Sequence, residues 1–362
     1  MIRFESVTKR FDRGAPAVDD LDLEIRDGEL TVLVGPSGCG KTTSLRMINR
    51  LEDPSSGRVL VNGTDVMSQD RIELRRGIGY VMQTSGLFPH RRIRANIGTV
   101  PRLLGWSRAT IDRRVEELAD LVGLAPDLLD RFPHALSGGQ RQRVGVARAL
   151  AADPPLMLMD EPFAAVDPVV RAHLQDELVR LQRRLGKTIV FVTHDIEEAI
   201  RIGDSIAVFQ NGGRIAQYAS PTELLAAPAN DFVVDFLGRD RELRRLALID
   251  VADVGVEEAP LVVPGDSAEA AREVARRHGR EWVIVVDDQQ RLRGWLAVDA
   301  LTGATVADAA TRPFRYTVTT GESLRAAVNA MVASTIGVAP RVDSQGRLEG
   351  VLTQASLNPV LA

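Results

Sequence analysis

The segment GPSGCGKTT (Gly35–Thr43) limits this chain more than any other. It fits G-x-x-x-x-G-K-[ST], follows the apolar run LTVLVG (Leu30–Gly35) and opens a helical pattern that begins at Lys41. Strand, glycine-rich turn and helix in that order make a cradle for phosphate. The glycines let successive N–H groups wrap an anion at the positive end of a helix. Lys41 is placed to neutralise the β- and γ-phosphates, and the Thr42 hydroxyl is placed to meet Mg²⁺. A glycine-rich turn that binds nothing is the bland alternative, and the strand and helix on either side argue against it.

Composition sharpens the point. The chain has three lysines (Lys9, Lys41 and Lys187) against 42 arginines. Keeping a compact ammonium at Lys41 in so arginine-rich a chain points to a site that needs one. The single cysteine, Cys39, lies inside the loop, so no intrachain disulfide and no cysteine metal site is expected. It is expected to contribute its backbone N–H. Net charge is −4 without long single-sign runs, which argues against a nucleic-acid partner. No apolar run approaches the roughly 18 residues of a membrane helix, and the first residues lack the apolar core of a signal peptide. The expected location is the cytosol, with any membrane work done by a partner.

Two more segments carry chemistry. LMLMDE (Leu156–Glu161) reads as a buried strand ending in two acids. Asp160 is expected to hold Mg²⁺ through water, and Glu161 to polarise the attacking water. In LSGGQRQRVGVARAL (Leu136–Leu150), Ser137, Gly138 and Gly139 are expected to precede a helix, with Gln140 next, which makes a second anion site on the same chain. One nucleotide cannot fill two distant sites within a monomer. A head-to-tail homodimer resolves this, with each ATP between one copy's phosphate loop and the other copy's Ser137–Gln140. Apolar runs at Leu156–Asp160, Thr188–Asp195 and Ser205–Gln210 alternate with helices and predict a parallel sheet covered on both faces.

With these motifs in place, residues 1 to about 240 resemble the ABC ATPase family. The family's motifs occur in order: Gly35, Pro36, Ser37, Gly38, Cys39, Gly40, Lys41, Thr42 and Thr43 of Walker A, Gln83 of the Q-loop, the signature Leu136–Gln140, Walker B at Leu156–Asp160, then Glu161, Asp167 of the D-loop and His194 of the H-loop. The resemblance implies that Gln83 touches Mg²⁺ or the attacking water. It implies that Asp167 lies at the dimer interface, that His194 contacts the γ-phosphate, and that Phe11 stacks on adenine. The fold implied is an α/β P-loop ATPase domain with a helical subdomain.

One ATPase half with no membrane span looks like an importer subunit. MINRLEDPSSG (Met47–Gly57), GLFPHRRIRANI (Gly86–Ile97) and DFLGRDRELRRLALIDV (Asp235–Val251) resemble the glycine betaine, choline and proline uptake branch. The implied partners are an integral-membrane permease, received by residues 84 to about 100, and a substrate-binding protein, at the cytoplasmic face of the membrane. Amino-acid and methionine importers share every ATPase motif, and soluble ABC ATPases remain an alternative.

DRELRRLALI (Asp240–Ile249) reads as a connecting helix, and a linker is expected over 241–252. Residues 253–362 then repeat a unit: Gly265–Leu296 and Gly321–Leu352 each read helix, strand, polar turn, glycine, strand. The repeat resembles a tandem CBS pair, an α+β module. Such pairs often carry G-x-[IL]-[ST]-x-x-D, whose Asp meets a ribose. Here the second copy reads Gly350 to Ser356 with Ser in the acid's place, and the first reads Gly294 to Ala300 with neither hydroxyl nor acid in register. A scaffold and a sensor of ionic strength or a cyclic dinucleotide are both open.

Overall fold

The computed structural model describes residues 2–11, 14–83, 86–164 and 166–361. It divides into two compact units, Met1–Gly238 and Arg239–Ala362.

Among the described residues, the first unit has ten strands: β1 (Ile2–Lys9), β2 (Val18–Ile25), β3 (Leu30–Val34), β4 (Ser56–Val61), β5 (Thr64–Asp65), β6 (Ile78–Val81), β7 (Leu156–Asp160), β8 (Thr188–Thr193), β9 (Ser205–Gln210) and β10 (Arg214–Ala219). β3, β7 and β8 are apolar along their length and buried at every position, as strands covered on both faces must be. They form a six-stranded sheet in the order β10-β9-β3-β8-β7-β6, parallel except for the β9–β10 edge. Strand order reverses at β3, which pairs with β8 on one side and β9 on the other. The crevice beyond the carboxyl ends of strands at such a reversal is where open α/β sheets hold ligands.

A second, antiparallel sheet has the order β2-β1-β4-β5. Its β4–β5 hairpin turns on Asn62 and Gly63, at φ 51° and 77°. Two positive φ values suit an Asn-Gly turn whose twist matches the flanking strands.

Helices Ile93–Ile97, Thr99–Leu103, Arg108–Leu121 and Gly138–Leu150 form the helical part. Their buried faces, including Ile93, Ile97, Val115, Leu118, Val144 and Ala147, join the core around β3, β7 and β8. The helix Pro168–Leu185 begins with Asp167 as its cap and ends at Gly186 in the left-handed region.

The second unit contains β11 (Leu261–Val262), β12 (Trp282–Val286), β13 (Leu292–Ala297), β14 (Ala339–Val342) and β15 (Leu348–Leu352). Each repeat is a helix and a hairpin, Ala268–Arg277 with β12–β13 and Leu324–Ala333 with β14–β15. The repeats exchange their leading segments. Arg312, on the way into the second repeat, pairs with Trp295 of the first, and Glu257, on the way into the first, pairs with Val351 of the second. Gly294 and Gly350, at φ 150° and 155°, permit those crossings. A Cβ at Gly294 would meet the Arg312 carbonyl at 2.3 Å.

The stretch expected as a connecting helix is helical only over Arg241–Arg245. Leu246, Val251 and Val254 are instead buried with Leu324, Ala327 and Ala330 of the second repeat. Arg341 donates to the carbonyls of Val251 and Val254, at 3.1 Å each, and secures that packing. The apolar residues win because burying them stabilises more than continuing a charged helix in water.

Candidate nucleotide-binding and hydrolytic site

Four neighbouring strands of the parallel sheet each deliver one part of the site at their carboxyl ends. β3 runs into the Gly35–Gly40 loop, β8 ends just before His194, β7 ends in Asp160 and Glu161, and β6 leads to Gln83. Neighbouring strands lie about 4.8 Å apart, so these groups meet without any long side-chain reach.

The loop tolerates only glycine at two points. A Cβ at Gly35 would meet the Phe209 carbonyl at 2.3 Å, and one at Gly40 the Ala17 carbonyl at 2.4 Å. Both sit at positive φ, 155° and 101°. Gly40 is the cap of the helix Lys41–Ile48, and no side chain caps that helix. Its first N–H groups are therefore left for an anion. Lys41 is buried, and its Nζ donates to the carbonyls of Gly35 and Pro36, both at 2.8 Å. The ammonium is thus held across the loop that a phosphate would enter. The Cys39 thiol is fully buried on the core side, 3.6 Å from Lys41 Nζ, while its N–H donates to Pro36 at 3.4 Å.

Thr42 Oγ1 donates to Asp160 Oδ1 at 2.8 Å. The other Asp160 oxygen, Oδ2, faces Tyr80 Oη at 3.5 Å and Arg46 at 3.6 Å. Burial pushes the Tyr80 hydroxyl above its ordinary pKa, and the Asp160 carboxylate adds to this, so Tyr80 stays a donor. A hydroxyl and a carboxylate side by side are the hard oxygen donors that suit Mg²⁺.

Glu161 Oε2 lies 3.5 Å from Gln83 Nε2 and 3.3 Å from His194 Nδ1. Glu161 is at φ 43°, a left-handed conformation that costs a non-glycine residue on the order of 1–3 kcal/mol. Its N–H donates to the Val192 carbonyl at 3.0 Å, which fastens the strained turn to β8. His194 is largely exposed on the site side.

Ser137, Gly138, Gly139 and Gln140 sit at the start of the helix Gly138–Leu150. The glycines were expected before the helix and are its first two residues. Ser137 Oγ accepts from the Gln140 N–H at 3.2 Å, and Gln140 Oε1 accepts from the Ser137 N–H at 2.9 Å. This reciprocal cap fixes the turn and leaves the glycine N–H groups facing outward. Asp167 caps the next helix through the Val169 N–H at 3.0 Å. Ala165, two residues earlier, lies outside the described residues. Phe11 is half exposed, with Lys9 Nζ 4.7 Å from its ring centre.

Sequence reasoning missed Tyr80 and Arg46 beside Asp160, and Asn96. Asn96 is fully buried. It accepts from the Phe88 N–H at 2.8 Å and donates to the Arg91 carbonyl at 3.0 Å, pinning the loop that follows Gln83. A buried Asn within the apolar pattern of Ile93–Ile97 was the available signal.

In the second unit the polar groups near the second glycine motif are already engaged. Thr353 is buried and its hydroxyl donates to Glu257, which also accepts from Arg280 at 2.9 Å. Ser356, in the place of the expected acid, hydrogen-bonds back to the Thr353 carbonyl at 2.8 Å.

Comparison with known proteins gives the family. Residues 18–164 match the family described as ABC transporter, and residues 306–360 match the CBS domain. The chain is 45% identical to the glycine betaine/carnitine/choline transport ATP-binding protein of Bacillus subtilis, over 99% of this chain and 95% of that one. It is 46% identical to the osmoprotectant import ATP-binding protein of Salmonella typhimurium, over 98% and 94%. Among solved structures it resembles a dimeric, post-hydrolysis ATP-binding cassette bound to ADP and phosphate, at 32% identity and a TM-score of 0.56, covering 61% of this chain and 99% of that one.

Proposed function

The chain belongs to the ABC transporter family of ATP-binding subunits, and on that premise we propose that it powers import of a quaternary-ammonium osmoprotectant of the glycine betaine, carnitine or choline kind. The observation that carries the hydrolytic part is Glu161 Oε2 between Gln83 Nε2 and His194 Nδ1, at 3.5 and 3.3 Å. The nearly full-length likeness to importer subunits supports the transport part.

In this reading Lys41 and the N–H groups of the loop hold the β- and γ-phosphates. Glu161 accepts the proton of a water aligned with the bond from the γ-phosphorus to the bridging oxygen. Gln83 orients that water, and His194 holds the γ-phosphate against it. Thr42 and Asp160 would hold Mg²⁺, with Gln83 in reach. When bound, the ion supplies charge neutralisation at the phosphate oxygens. Phe11 offers a face to adenine.

Two copies close head to tail, with Ser137–Gln140 of one copy over the nucleotide of the other and Asp167 near the seam. No helix among the described residues is long and apolar enough to cross a membrane. In the proposed reading an integral-membrane permease, served by a substrate-binding protein, carries the solute, and this chain works at the cytoplasmic face. A groove lined by Arg76, Tyr80, Met82, Phe88, Val100 and Arg148 opens beside the loop after Gln83. It fits an amphipathic permease segment. Of the expected docking stretch, Thr84 and Ser85 lie outside the described residues.

The test is uptake of labelled glycine betaine, carnitine, choline and proline after osmotic upshift. The host lacks this gene and is complemented with wild type or Lys41→Ala. Uptake of one solute restored by wild type alone supports the reading. Equal uptake of all four in every strain removes the osmoprotectant assignment and leaves the ATPase.

A further inference from the structure

One buried acid of the first unit has no part in the chemistry above. Glu198 lies in the helix Ile196–Ile202, which follows His194, and it is 7% exposed. A carboxylate in so dry a place is stable only if it is well bonded. Its Oε1 accepts from Gln175 Nε2 at 2.9 Å, and the Thr193 hydroxyl also donates to it. Burial pushes the carboxyl up from its ordinary range, and those two donors together with nearby Arg171 pull it back.

Each of these partners leads to a loop of the site. Thr193 immediately precedes His194, and its hydroxyl oxygen also accepts from the Asp195 N–H at 3.0 Å. The two residues flanking His194 are therefore both tied through Thr193. Gln175 and Arg171 belong to the helix Pro168–Leu185, which Asp167 caps. Arg171 NH2 donates to the Val166 carbonyl at 3.1 Å. A second tie runs alongside: Arg201 grips both oxygens of Asp176, at 2.9 Å each. That outer pair is half exposed and contributes little. The buried contact sets the register.

We infer that Glu198 is a positioning residue that fixes His194 relative to Asp167, by joining the helix after the histidine to the helix after the aspartate. This rests on the ATPase reading above. Glu198 bonds Gln175 and stands outside the Gln83–Glu161–His194 cluster. Its loss should slow turnover and spare ATP binding, because Lys41 is held by the Gly35 and Pro36 carbonyls and shares no hydrogen-bond partner with Glu198. A misplacement of about 1 Å in a catalytic group can cost up to about a hundredfold in rate.

The experiment measures steady-state ATP hydrolysis and equilibrium ATP binding for the full-length chain. Rates are divided by ATP bound per chain, so that misfolded protein drops out. Glu198→Ala is expected to lower kcat about tenfold with KM for ATP within about twofold. Glu198→Gln should stay within about twofold of wild type, because an amide oxygen still accepts from Gln175 and Thr193. Gln175→Leu keeps the volume and breaks the same contact from the other helix. If the brace acts as a unit, the double variant Glu198→Ala/Gln175→Leu is no slower than the worse single one. A normalised wild-type kcat for Glu198→Ala overturns the inference, as does a double loss equal to the product of the two single losses. Glu198→Gln as slow as Glu198→Ala also overturns it. A wild-type chain that neither binds nor hydrolyses ATP overturns the ATPase reading, and this inference with it.

Discussion

The two units treat their polar residues in opposite ways. In the first, Lys41 spans two loop carbonyls, the helix at Lys41 has no side-chain cap, and Glu161 stands in a strained turn between two side chains. Those groups are held in place but not consumed, as preorganised sites require. In the second, Thr353, Glu257, Arg280 and Ser356 bond one another, and Asp287 accepts from Gln289, Arg291 and Arg293. The lesson is that the same polar residue types make a site in one unit and a brace in the other. The difference lies in whether their partners come from within the chain.

Substitutions in the two units should therefore fail differently. The largest effect expected is Glu161→Gln, with kcat for ATP hydrolysis down about a thousandfold and ATP affinity nearly unchanged. Phosphate release and nucleotide binding measured on one preparation check it. Lys41→Ala comes next, weakening ATP binding about a hundredfold through loss of a charged donor. Residual binding at wild-type affinity would mean that the repeats hold nucleotide after all, and would break the comparison.

The second unit should lose stability and keep chemistry. Thr353→Ala leaves Glu257 short of a donor and should cost about 1 kcal/mol, read as a lower midpoint in urea, with ATP hydrolysis unchanged. A fall in kcat without a shift in the midpoint would put Thr353 in the wrong class. The smallest effect belongs to Glu273, whose carboxyl is held down to about 2 by Arg276 and Arg277. Its folded-state value lies below the ordinary 4.5, so its contribution is present above pH 4.5 and is lost as pH falls towards 2. Glu273→Gln should flatten only that acid limb in a denaturation series against pH.

Most of the first site is legible in the residues alone. The loop, Asp160, Glu161, Gln83 and His194 belong to short local patterns, each a strand end followed by a fixed residue type. β3, β8, β7 and β6 then bring those patterns together because apolar runs buried on both faces must pair side by side. What could not be read depends on distant partners. Tyr80 and Arg46 meet Asp160 from two separate elements, and Glu198 looks like one more acid in an acidic helix start until Gln175 is placed against it. Both copies of the repeat are visible as text, but the exchange of Glu257 and Arg312 between them is not. Nor is the burial of Leu246 and Val251 in the second copy. Those contacts join residues far apart in sequence, and no local periodicity encodes them.

The central claim is that nucleotide is held by the first unit alone, between two copies of the chain. The direct measurement is the mass and nucleotide content of Glu161→Gln after incubation with Mg²⁺ and ATP, by light scattering coupled to size exclusion and by counting bound ATP. The account predicts a dimer retaining one ATP per chain, abolished by adding Lys41→Ala. A monomer with ATP bound, or a dimer holding two nucleotides per chain, would contradict it.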